Sequence, residues 1–87
     1  MTHSRKRLTL GTPATYRIHI QGTLDESWSS RLGGMTIAPA SQEGEPPLTV
    51  LVGHLIDQAA LLGVVNFLYD LGQPLLSVEC LEIQEED

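Results

Sequence analysis

The chain alternates between two kinds of hydrophobic rhythm. Tyr16-Arg-Ile18-His-Ile20-Gln repeats apolar and polar residues with a period of two. This predicts a half-buried strand with Tyr16, Ile18 and Ile20 inward and Arg17, His19 and Gln21 outward. Gly22 closes it. Thr23-Leu-Asp-Glu26 has the form of a capping box, and Leu24, Trp28 and Leu32 follow at helical spacing, so a short helix of one to two turns is predicted up to Gly33-Gly34. Met35 to Ala38 reads as a second strand and Pro39 to Pro47 as a polar loop. Leu48 to Ile56 is a third strand, apolar on both faces. Asp57 is placed to cap a long helix that Gly72 and Pro74 terminate. Leu75 to Ile83 is the fourth strand.

The long helix has almost no polar face. At 100° per residue, Ala60, Leu61, Val64, Val65, Phe67, Leu68 and Leu71 cover an arc of roughly 160°, enough to lie on a sheet. Leu62 and Tyr69 fall outside that arc, in line with each other. No Lys or Arg occurs between Asp57 and Leu71. The sheet repeats the excess. With Val50 and Val52 facing the helix, Leu51 and Leu55 face away. With Leu76, Val78 and Cys80 facing it, Leu75, Leu81 and Ile83 face away. The candidate interface residues are therefore Leu62, Tyr69, Leu51, Leu55, Leu81 and Ile83, because contiguous exposed apolar surface marks contact sites.

The element order predicts an α+β domain. It is a two-layer sandwich with a four-stranded mixed sheet (β-short α-β-β-α-β) and one long helix packed on one face. Strands two and three pair antiparallel across the loop. A right-handed crossover through the long helix makes strand four parallel to strand three. Strand four then lies beside strand one or beside strand three, and the pattern leaves both open. The expected boundaries are a disordered basic arm over 1–13, one domain over 14–84 and a frayed acidic tail over 85–87.

Composition narrows the class. The chain has 87 residues, enough for one small domain that gains from a partner subunit. It is 41% hydrophobic and 18% charged, which is globular rather than disordered. Arg5, Lys6 and Arg7 sit at the start, and only Arg17 and Arg31 oppose the eleven acidic residues that follow. Such a body does not suit nucleic acid, which needs a basic face. No apolar run approaches the roughly 20 residues of a membrane span, and no apolar segment follows the basic start as a signal peptide requires. The lone Cys80 forms no internal disulfide, which points to a reducing, cytoplasmic compartment.

Candidate chemistry is sparse. His54 precedes Asp57 by three residues at the start of the long helix, and helix N-termini attract anions. With Trp28 as an aromatic wall, these three are the candidate ligand pocket. The bland readings are a strand-end histidine, a helix cap and a core anchor. His19 reads as solvated and Cys80 as a small hydrophobe, since a reactive thiolate needs a positive neighbour. No spacing suggests a metal or cofactor site, and no catalytic signature is present.

Two stretches carry a resemblance: Tyr16-Arg-Ile-His-Ile-Gln-Gly-Thr-Leu-Asp-Glu-Ser-Trp28 with Gly33-Gly-Met-Thr-Ile37, and Asp57-Gln-Ala-Ala-Leu61 with Tyr69-Asp-Leu-Gly72 and Pro74-Leu-Leu-Ser-Val78. Together they resemble a family of small uncharacterised bacterial proteins with a G-x-L-D-x-x-W segment and a D-Q-A-A-L helix. The resemblance implies a bacterial, cytoplasmic origin and transfers no functional residue. The function expected is a small non-catalytic interaction or regulatory module that self-associates as a homodimer or higher oligomer, with a further protein partner possible. The alternative is a small-ligand or anion sensor, or a minimal enzyme, with a pocket near His54, Asp57 and Trp28.

Overall fold

The computed structural model describes residues 7–84. The expectations for residues 1–6 and for the tail 85–87 lie outside the described residues. The elements follow in the expected order: β1 (Ala14–Gln21), a 3₁₀ helix (Glu26–Arg31), β2 (Thr36–Pro39), β3 (Leu48–Leu55), α1 (Gln58–Asp70) and β4 (Leu75–Ile83). The class is α+β.

The sheet order is β2-β3-β1-β4, and every pairing is antiparallel. The expected mixed sheet is therefore corrected. The Gly22–Met35 connection does not return β2 alongside β1. It carries the chain past the place that β3 later takes, so β3 inserts between β1 and β2. Strand four does run in the direction of strand three, but β1 lies between them and pairs antiparallel with both. Each helical connection thus skips one strand, which is the ferredoxin-like split β-α-β arrangement. Here the first of its two helices is reduced to six residues of 3₁₀.

That reduction has a local cause. The predicted cap at Thr23 does not form. Asp25 caps instead, its Oδ1 accepting the Ser27 N–H at 2.9 Å. Just beyond the helix, Leu32 and Met35 are fully buried, so the chain must dive into the core directly after Arg31. Gly33 and Gly34, at φ +68° and +75°, make that turn. A Cβ on Gly33 would lie 2.8 Å from Leu55 Cδ2.

One sheet face forms the core. Ala14, Tyr16, Ile18 and Ile20 of β1 meet Ile37 of β2, Thr49, Leu51 and Leu55 of β3, and Val64 and Leu68 of α1. This corrects the expected phase of β3. Leu51 and Leu55 are core residues, not interface residues, and Val50 and Val52 are half-buried on the back. The reason is register. Directly opposite residues of an antiparallel pair share a face, and Ile18 stands opposite Leu51. A strand apolar on both sides carries no phase of its own, so β1 imposes one.

The β4 phase is corrected too. Its register with β1 slips twice, between Ile20/His19 and between Tyr16/Thr15. Leu76 and Leu81 are the extra residues of two bulges. Leu75, Val78, Cys80 and Ile83 consequently share the core side, where strict alternation placed Leu75 and Ile83 opposite to Val78 and Cys80. Ile83 stands opposite Ala14.

Candidate functional site

The two edges of the sheet differ sharply. β2 is four residues long and ends in Pro39. β4 is nine residues long, has no Pro or Lys, and among the described residues pairs only with β1. Natural sheets blunt their edges by shortness, Pro, charge or cover. β2 follows that rule. β4 has its two bulges and the two acids Glu79 and Glu82, but is neither short nor covered.

On the back of the sheet, β4 is fastened by polar pairs. Arg17 Nε donates to Glu79 Oε1 at 2.8 Å, and His19 Nδ1 lies 3.1 Å from Ser77 Oγ. The bond from Arg17 holds the Glu79 carboxyl below its usual range, and the same bond raises the Arg17 guanidinium. The rest of β4 is largely apolar and poorly covered. Leu75, Leu76, Val78 and Leu81 are between 39% and 50% exposed.

The helix extends this surface. Phe67 of α1 meets Trp28 with ring centroids 5.6 Å apart, which fixes one flank of α1 toward the 3₁₀ helix and β2. At 3.6 residues per turn, Leu61 and Val65 lie on the opposite flank, toward β4, and Leu62 and Tyr69 continue outward from them. Leu61 and Val65 pack on the core, whereas Leu62 is 60% and Tyr69 80% exposed. The sequence pattern marks Leu62, Tyr69 and Leu81. It does not mark Leu75 on this account, and it misses Leu76 and Val78 altogether. Their exposure follows from β4 standing at the edge, where α1 meets the strand but covers it only in part.

The other candidates are dispersed. Asp57 caps α1, its Oδ1 accepting the Ala60 N–H at 2.8 Å. The Gln58 N–H donates to Leu10 O at 2.9 Å, so the chain before β1 closes this helix end, after a turn from Thr9 to Thr12. His54 is exposed and adjoins Leu55, so it points to the back of the sheet. Trp28 is half-buried against Phe67, with the Arg31 guanidinium 6.0 Å from its ring. Phe67 lies ten residues along α1 from Asp57, about 15 Å of helix rise. Trp28 therefore does not join His54 and Asp57. Among the described residues, no three His, Cys, Asp or Glu side chains group as a metal site would require, and no helix is long and apolar enough to cross a membrane. Cys80 is an exposed free thiol on β4.

An α+β domain with one bare, apolar sheet edge is the class that fold and surface define. The chain matches the model of a domain of unknown function, DUF8691, over residues 15–79, and it belongs to that family. Neither a curated protein nor a solved structure matches it.

Proposed function

We propose that this protein is a small non-catalytic association module, self-associating and regulatory in role, whose working surface is the β4 edge with the adjoining flank of α1. The observation that carries the reading is the contrast between the two sheet edges. α1 acts as a second layer over one face of the sheet and covers β4 only in part. The chain thereby holds apolar side chains at the rim of the domain, where a partner would remove them from water. The acidic body suits a partner that is apolar or basic there. An exposed thiol at Cys80 fits a reducing bacterial cytoplasm.

The sensor reading has less support. The Asp57 carboxylate already serves the helix end, and Trp28 serves Phe67. Sedimentation equilibrium at micromolar concentration tests the proposal. The expected mass is that of a dimer or larger. A strict monomer that also fails to bind an apolar dye counts decisively against it.

A further inference from the structure

We infer that the partner at the β4 edge is a second copy of this chain, added strand to strand. β4 pairs antiparallel with its own copy about a two-fold axis perpendicular to the sheet, joining two four-stranded sheets into one of eight. This rests on the self-association reading above and gives it a geometry.

Three observations favour a second copy over a foreign strand. First, the surface has two parts. An added peptide strand would satisfy the open backbone of β4, yet it would leave Leu62 and Tyr69 in water. A two-fold copy brings its own α1 flank toward the same seam, so the helices close over the exposed apolar side of both β4 strands. Second, the area suffices. From their fractional exposures, Leu62, Tyr69, Leu75, Leu76, Val78 and Leu81 present roughly 600 Å² of uncovered surface, against the about 800 Å² that each partner gives to a standard interface. The strand backbone supplies much of the remainder. Third, charge does not oppose it. Residues 59–69 of α1 carry no charged side chain. Of the two acids of β4, Glu79 is already held by Arg17.

The two-fold restricts the register. Both copies must keep their core sides together, so one residue of β4 faces its own counterpart. Centres at Val78, Glu79 or Cys80 keep the strands overlapped and place the two Cys80 Cα atoms within about 5–15 Å of each other.

Cys80 makes the test direct, because it is the chain's one cysteine and needs no mutagenesis. A nitroxide spin label on Cys80 is expected to show dipolar broadening in the associated protein, from labels within roughly 20 Å of each other. Hydrogen exchange on the unlabelled chain provides the check free of any label. Amides of Leu75–Ile83 are expected to slow as concentration rises through the association range, while those of Thr36–Pro39 do not change. Leu81→Lys, at an exposed bulge, is expected to shift the mass toward monomer with the far-UV spectrum unaltered. A dimer by sedimentation whose β4 amides ignore concentration and whose labels stay uncoupled overturns the strand pairing while leaving self-association standing. A strict monomer at millimolar concentration overturns both and assigns the β4 edge to a foreign extended segment.

Discussion

Two glycines of this chain are expected to respond to the same substitution with opposite signs. Gly53 lies in β3 on the core side, where the chain passes directly over it on the way into β2. A Cβ there would sit 2.9 Å from both Met35 Cα and Met35 Cγ. Met35 Cγ can rotate aside, but the Cα belongs to backbone held by the Ser29 hydroxyl, which donates to Met35 O at 2.6 Å. Gly→Ala in a strand otherwise gains about 0.4–1 kcal/mol by restricting the unfolded chain. Overpacking a tight contact costs about 1–3 kcal/mol, and backbone opposition places Gly53 toward the upper end. Gly53→Ala should therefore destabilise the domain by about 1–2 kcal/mol. Gly63 sits in the middle of α1, and a Cβ added to it would meet nothing within 4 Å. There, Gly63→Ala gains helix propensity without a clash and should stabilise by about 0.5–1 kcal/mol. Thermal unfolding at one fixed protein concentration separates them, since 1 kcal/mol moves the midpoint of so small a domain by about 4–8 °C. The concentration must be fixed because association raises the midpoint by mass action. Equal, upward shifts for both variants would show that Met35 does not close over β3.

Trp28→Ala should cost about 2–3 kcal/mol, below the roughly 3–5 kcal/mol of a fully buried Trp, because the ring is half-exposed and its main loss is the Phe67 contact; urea denaturation measures it. Asp57→Ala should cost about 1 kcal/mol through the lost cap on Ala60 N–H, read as reduced stability in the same urea assay with the mass of the associated species unchanged. The Glu79 carboxyl titrates lower in the fold than its ordinary 4.5, so its contribution is present above that value and disappears as pH falls through the lower folded value. The small gap in melting temperature between the parent chain and Glu79→Gln should accordingly close on acidification; a gap that widens in acid would mean that the Arg17 bond is absent.

Much of the architecture is legible in the residues. Period-two spacing identifies β1 and its inward set, Gly22 and Gly72 mark real ends, and Asp57 caps α1 as its short acceptor chemistry suggests. What the pattern does not carry is phase and order. β3 is apolar on both faces, so only its pairing with β1 decides that Leu51 and Leu55 go inward. In β4 two bulges at Leu76 and Leu81 break the alternation, and neither Leu75-Leu76 nor Cys80-Leu81-Glu82 carries a residue that marks a bulge. The 3₁₀ helix starts two residues late because Asp25 outcompetes Thr23 for the free N–H groups, while the burial of Leu32 and Met35 pulls the following turn tight. Strand order depends on where the Gly22–Met35 connection lands, which is a matter of tertiary packing. The rim surface is visible as an excess of apolar residues on α1, but locating it requires knowing that β4 is the edge.

The central position of β1 has a consequence for how the chain comes into being. β1 precedes both of its neighbours, β3 and β4, in the chain and ends up between them, with Arg17 and Glu79 62 positions apart. Two of the three pairings, β1 with β3 and β1 with β4, close long loops and only β2–β3 is a local hairpin, so folding is slowed by non-local search. On the ribosome, β1 has no partner until β3 emerges, and its other side remains open until β4 is released. A nascent or C-terminally truncated chain lacking Leu75–Ile83 presents Ile18 and Ile20 beside an unpaired backbone, an invitation to aggregate. β4 therefore decides whether β1 is ever safely enclosed.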